Sequence, residues 1–477
     1  MAAAVTDRAM LRHLVVAGGL AWALAFVVVG LAFRLQLYGD GAIFSYAAGV
    51  QDVWAFHWHN ISGRLTTYVL TLAPAEGIAA VTRSPNAAVT AYGLLLYLMP
   101  LIGLGVTYAA DRSQGRLIFV FACASTATLC PLVFGFPTEM WLAHAWFWPA
   151  LAAAHYAPPG ARGSAAVFAT LLALVFSHEG GFVLAGAILV TLILRGFYDA
   201  AFLRAARALA AVVVLWIAVK ALFPPGAYFA DVYVRAALGF FDAELLRTHI
   251  AILIIAVVAG YATVAAVLAR VTVFAAVYAF FIVLAGLAVY WLGFDQSLHA
   301  STRYYMRTLL VALTPLFGLA AALLVLDAEK RLRKLYPLLT RVMDVLRRLP
   351  TSAVASVFLL VMLAHAVETA QFASAWSNYK EAVRQLATGP AADPSLGDPR
   401  FVSSDRIAPS LNRLSWFSTT PYLSAVLANF APARLVIDPS SNYFWLSCAT
   451  ATANQNAVRA VPRDVRMLIR TYSCEHR

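Results

Sequence analysis

Arg12–Phe33 reads RHLVVAGGLAWALAFVVVGLAF, and from His13 to Phe33 it holds no Asp, Glu, Lys or Arg. A hydrocarbon core of about 30 Å is crossed by about 20 helical residues, so this stretch is one transmembrane helix. It is longer than the apolar segment of a cleaved leader and further apolar runs follow, so it is expected to stay as a span. Those runs lie at about 87–109, 117–135, 140–156, 164–176, 182–195, 208–222, 250–268, 271–292, 308–326 and 351–368. The composition agrees: 62% of the 477 residues are hydrophobic and 12% charged, with a mean hydropathy of +0.76. Soluble globular chains are about 45–50% apolar and about 25% charged. A water-soluble enzyme with a single core and a disordered chain are both excluded for most of this sequence. The reading is an all-α polytopic membrane protein of about eleven transmembrane helices with a small α/β C-terminal cap.

The basic residues set its orientation. With the N-terminus cytoplasmic and residues 65–82 not crossing, sixteen Lys and Arg fall on the inner side, including the cluster Lys330, Arg331, Arg333, Lys334, Arg341, Arg347 and Arg348. Eight fall outside (Arg34, Arg64, Arg83, Lys220, Arg235, Arg247, Arg303, Arg307) and eleven in the tail. This obeys the positive-inside rule. If residues 65–82 crossed, every later loop would flip and the 330–348 cluster would face outward. That stretch, with Pro74 and Glu76, is therefore read as lying along the outer face. The net charge of +12 is then mostly sidedness, and no nucleic-acid partner is expected. Residues 327–350 carry apolar positions at helical spacing and read as an amphipathic helix on an anionic inner leaflet. No internal repeat is visible.

The chain divides at residue 370. Residues 1–370 form the membrane domain, with a first outer loop at 34–86. Residues 371–477 form an extracytoplasmic cap. There Trp376, Tyr379, Val383 and Leu386 recur at helical spacing up to Gly389-Pro390. Short β-like runs follow at 400–403, 434–438 and 443–449, and a last helix begins near Pro462. Cys123 and Cys130 fall in one apolar span as small core residues. Cys448 and Cys474 lie in the tail, where a disulfide and two unpaired thiols are both open readings.

Ionisable residues at the membrane are costly and point to function. Here they collect on the outer side. The first outer loop holds Gly39-Asp40-Gly41, then Asp52, Trp54, His57, Trp58, His59 and Asn60-Ile61-Ser62-Gly63-Arg64. Later outer turns hold Thr138-Glu139-Met140-Trp141 with His144, then Ser177-His178-Glu179-Gly180, then Asp295, His299, Arg303, Tyr304 and Arg307. Each has a plainer reading. Asp40 fits a turn or a helix cap. Trp54, Trp58 and the histidines fit an interfacial aromatic belt. His57 and His59 lack a third ligand for a metal, and His178-Glu179 lacks zinc-protease spacing. Arg303 and Arg307, one turn apart, fit either an interface anchor or a phosphate grip.

The pattern resembles the GT-C superfamily of membrane glycosyltransferases. The matching pieces are Gly39-Asp40-Gly41 after the first span, the aromatic stretch ending at Arg64, the non-crossing helix at 65–82, the Glu139 and His178-Glu179 turns, and the tail. The sequence departs from the best-known members in having one Asp where many have an Asp-Asp or Asp-Glu pair. The resemblance implies a bacterial inner-membrane enzyme that takes a sugar from a polyprenyl-phosphate donor and passes it, with inversion, to an extracytoplasmic glycan, lipid or protein. No cofactor is expected, with dependence on a divalent metal left open. Asp40 would be the general base, with Asp52 second. Arg64, Arg303 and Arg307 would meet the lipid phosphate. Glu139, His178 and Glu179 would line the sugar pocket, and Trp54, His57, His59, His144 and Tyr304 would contact substrate. The competing readings are a transporter or flippase of a lipid-linked saccharide, a polysaccharide ligase or polymerase of another fold, and a non-catalytic scaffold.

Overall fold

In lipid no water is present to satisfy backbone N–H and C=O groups, so an apolar chain of this kind folds as helices that satisfy them internally. The computed structural model describes residues 2–54, 63–135, 139–223, 272–293, 300–330, 350–389, 401–416, 419–431 and 434–437, with a few isolated positions besides. The fold is mostly helical (82%) with one small sheet. In chain order the main helices are α1 (Ala2–Ala32), α2 (Asp40–Gly49), α3 (Leu65–Thr82), α4 (Pro85–Ala110), α5 (Leu117–Thr128), α6 (Glu139–Tyr156), α7 (Ala161–Val175), α8 (Gly181–Ile193), α9 (Ala200–Leu222), α10 (Val273–Gly293), α11 (Ala300–Ala328), α12 (Thr351–Thr388) and α13 (Thr420–Leu427).

Six of these, α1, α3, α4, α9, α11 and α12, are long and apolar enough to cross a membrane by length and composition. α5, α7, α8 and α10 are shorter apolar helices. The apolar segment of α9 is only 11% buried. Val28, Val214 and Phe281 are likewise largely exposed. Apolar surface of this extent needs a covering, and a bilayer supplies it. Residues 65–82 are helical, as expected, with a wide turn at Tyr68–Leu72. Pro74, which has no N–H to give the preceding turn, follows directly.

Small residues bring the helices together. α1 packs against α4, α5 and α12, α4 and α7 pack against α6, and α8 packs against α11. A Cβ on Gly19 would lie 2.6 Å from the Cys123 Cα, and one on Gly103 would lie 2.4 Å from the Ala145 carbonyl oxygen. Without a hydrophobic drive between helices in lipid, such close approach is a main source of packing energy. Aromatic rings of Phe26, Tyr97, Phe134 and Trp141 interlock at the centre, and the Trp141 indole donates to the Leu96 carbonyl at 3.0 Å. Cys123 and Cys130 are buried free thiols, as expected for small core residues.

The division at residue 370 falls inside α12, which runs unbroken for 38 residues. The helix expected around Trp376, Tyr379 and Val383 is the second half of that span, and these three side chains are buried. Beyond it, β1 (Phe401–Ser403) pairs in parallel with β2 (Leu435–Ile437), in register Phe401 to Leu435. α13 packs on α2, α12 and β2, which ties this tail segment to the stretch that follows α1. The expected span at 250–268 (apart from three isolated residues), most of the amphipathic segment 327–350, the 443–449 run, the helix near Pro462, Cys448 and Cys474 lie outside the described residues.

Candidate functional site

The Asp40 loop is shaped by its glycines. Gly39 has φ 58° and ψ −136°, a conformation that suits glycine. A Cβ on Gly41 would lie 1.8 Å from the Gln36 carbonyl oxygen. Asp40 therefore opens α2 in its first turn, where the positive end of the helix dipole favours a carboxylate. Gly39, and not Asp40, is the capping residue.

A second loop meets this region. The backbone N–H of Thr66 donates to the Phe176 carbonyl at 3.1 Å, and the Thr67 hydroxyl donates to that of Ser177 at 3.2 Å. These bonds fasten the start of α3 to the turn between α7 and α8. That turn is tight against its neighbours: a Cβ on Gly180 would lie 2.8 Å from Met140 Sδ and 3.2 Å from Val311 Cγ2. The sequence thus brings Arg64, Glu139, His178 and Glu179 together through backbone bonds and missing side chains.

Arg64 is the hub. Its Nη1 lies 2.9 Å from Glu139 Oε2, its Nη2 lies 2.8 Å from Glu179 Oε2, and its Nε donates to the same Glu179 oxygen at 2.9 Å. Lys220 Nζ stands 3.8 Å from Glu179 Oε1. The side chain of Glu139 is 2% exposed. Neither of its oxygens has a hydrogen bond of good geometry to a described residue, and among the described residues Arg64 is its ion-pair partner. Asp40 and Arg307 are both near enough for their charges to act on Glu139. Buried Tyr92 of α4 senses both Glu139 and Asp40.

The two titrating groups of the α7–α8 turn are set by this cluster. Burial works to raise the Glu179 carboxyl, but Arg64 outweighs it and draws the group down to about 2. Burial first, then the positive charges of Arg64 and Arg307, hold His178 well below its usual value. Its Nδ1 accepts the Gly180 N–H at 2.9 Å, so the neutral ring carries its proton on Nε2 as a donor.

The structure separates the other expected residues. Asp52 stands beside Glu76, whose carboxylate accepts the Val53 N–H. Trp54 packs its ring against Tyr68 and Phe223 and is 44% exposed. His144 belongs to the helix core rather than to the cluster. Its Nε2 meets Ser125 Oγ at 2.7 Å and its Nδ1 meets Cys130 Sγ at 3.1 Å, so both ring nitrogens are already engaged. Arg303 and Tyr304 fall in the first two turns of α11, without described side chains. His57, Trp58, His59, Asp295 and His299 lie outside the described residues. Among the described residues, no three His, Cys, Asp or Glu side chains are grouped as a metal ion would need. Lys220 entered the sequence reading only as an outer basic residue. A lone Lys closing a long apolar helix, on the face where the carboxylates gather, was the signal for it.

Compared with protein-family models, with curated proteins and with solved structures, the chain matches none.

Proposed function

We propose that this chain is a membrane glycosyltransferase of GT-C type. It takes a sugar from a polyprenyl-phosphate donor and transfers it, with inversion, to an extracytoplasmic glycan, lipid or protein acceptor. The observation that carries the reading is Glu139: a buried carboxylate, paired among the described residues with Arg64, with Asp40 and Arg307 close by. A carboxylate in that state calls for hydroxyl donors, and a sugar supplies them.

In the proposed step Asp40 accepts the proton of an acceptor hydroxyl. The acceptor oxygen forms its bond to the anomeric carbon as the bond from that carbon to the phosphate oxygen breaks. The bonding pair leaves with the polyprenyl phosphate, whose charge Arg307 and Arg303 stabilise. Glu139 and Glu179 accept bonds from sugar hydroxyls, and the His178 Nε2–H donates one. Arg64 fixes the two glutamates relative to each other. Asp40 makes no hydrogen bond or ion pair to a described residue, which leaves its oxygens to an incoming hydroxyl. Asp52, set beside Glu76, is the weaker choice for the base.

This reading keeps about eleven spans, the N-terminus inside, α3 along the outer face and the tail outside a bacterial inner membrane. It is favoured over ion-coupled transport because, among the described residues, the paired charges of this cluster gather at helix ends and in one turn rather than in a chain through the span interior. The test is Asp40→Asn in a transfer assay with lipid-linked sugar, with the folded yield checked. Transfer is expected to fall by about 10²–10⁴-fold, the range for losing a general base. Full transfer by the variant would refute the assignment.

A further inference from the structure

A separate feature lies between α1 and α12. These helices meet closely at Gly18, where a Cβ would stand 2.8 Å from the Phe358 ring and 3.0 Å from Met362 Sδ. From there a groove of about 870 Å³ opens between them. Trp22, Val29, Phe134, Leu363 and Ala370 line its apolar length, and Ser374, Ser377 and Asn378 line its other end. Phe134 stacks with Trp141 and meets Phe26, so an aromatic wall stands between the groove and the helix that carries Glu139.

Two cations follow directly on the polar end. Phe33 lines the groove, and Arg34 is the next residue. Lys380 lies two residues beyond Asn378 and donates to the Phe33 carbonyl. Both side chains are half-buried, and the two charges are close enough to repel each other. The Arg34 guanidinium has no ion pair or hydrogen bond to a described residue. Glu381, the next acidic group along α12, is already paired with Arg384 at 2.7 Å. Arg34 is also held at φ 50°, a costly conformation for a residue with a Cβ. Lys380 alone would be explained as a cap on the carbonyl end of α1. A second cation beside it, without a partner among the described residues, would not.

We propose that this groove holds an anionic phospholipid of the surrounding bilayer, with an acyl chain between α1 and α12 and its phosphodiester between Arg34 and Lys380. Adjacent like charges at the mouth of an apolar groove are relieved by an anion that carries an apolar tail. The site does not depend on the glycosyltransferase reading.

The test uses the full chain in neutral detergent. Retained lipid is measured by native mass spectrometry against phosphatidylglycerol and phosphatidylcholine with identical chains. Phosphatidylglycerol is expected to bind more tightly. Arg34→Gln is expected to weaken it about fivefold, the worth of one interfacial cation, and to leave phosphatidylcholine unchanged. Ala370→Trp, which fills the groove, should reduce both. The Arg34 side chain has no described partner, so its variant keeps the fold even if Lys380→Gln does not. Equal binding of the two lipids overturns the proposal, as does an Arg34→Gln protein that keeps the full preference. Displacement by a polyprenyl phosphate at equal concentration, without competition from phosphatidylglycerol, assigns the groove to another lipid and also overturns it.

Discussion

Replacing Arg64 by Gln removes the cation that is ion-paired with Glu139 among the described residues, and leaves Glu179 to Lys220, 3.8 Å away. At an N–O separation of 2.9 Å and an effective dielectric of about 20, the Arg64–Glu139 attraction is roughly 6 kcal/mol before desolvation is subtracted. Breaking one side of a buried pair costs about 3–5 kcal/mol, because the remaining charge stays buried. Glu139 is 2% exposed in the substrate-free chain, so little solvent screens it and the range applies. The expected result is a fall in melting temperature of about 5 °C or more for the detergent-solubilised protein. Glu139→Gln in the Arg64→Gln background removes the stranded charge and should restore a substantial part of the loss. The double-mutant cycle should give a coupling of about 2–3 kcal/mol. A single variant that melts with the wild type, or a double variant whose losses simply add, would refute the idea that Arg64 stabilises Glu139.

Two further expectations follow from the same geometry and from the helix contacts. His178 is held far below its ordinary value of 6.5 in the folded chain, so below that pH only the unfolded chain gains the proton and stability falls. The contribution of Glu179, whose folded value of about 2 lies under its ordinary 4.5, persists above 4.5 and is lost as pH falls from there towards 2. Melting curves between pH 8 and pH 5 should show the first effect, and His178→Gln should reduce it by one histidine's share, the buried His144, His155 and His365 keeping theirs; identical pH profiles for the two proteins would count against the buried neutral histidine. Gly103→Val should lower the melting temperature by an amount equivalent to about 3 kcal/mol, since its Cβ would sit 2.4 Å from the Ala145 carbonyl oxygen, and a variant as stable as the wild type would mean that α4 and α6 do not meet there.

The membrane character and many of the helices were legible because an apolar run of about 20 residues has few other uses. The convergence of Asp40, Glu139, His178, Glu179 and Arg307 was legible only through sidedness, which assigns residues to a face but not to a shared point on it. Arg64 as the hub was not legible, because it depends on bonds from Thr66 and Thr67 to the carbonyls of Phe176 and Ser177, far along the chain. His144 was misplaced for the opposite reason. It stands five residues after Glu139, but the helix turns it towards Ser125 and Cys130. The start of the tail at residue 371 followed a change in composition, whereas the backbone carries α12 through that point because its second half buries Trp376, Tyr379 and Val383 against other elements.

The length of α12 has a mechanical side. At 1.5 Å per residue its 38 residues span about 57 Å, nearly twice a hydrocarbon core. It is longer than such a core by about 25 Å, and it has no proline or glycine before Gly389 at which to bend. α13 leans on α12 and on α2, the helix that begins with Asp40. One stiff element is thus joined through α13 to the helix that carries Asp40, which gives the tail a direct mechanical connection to that residue.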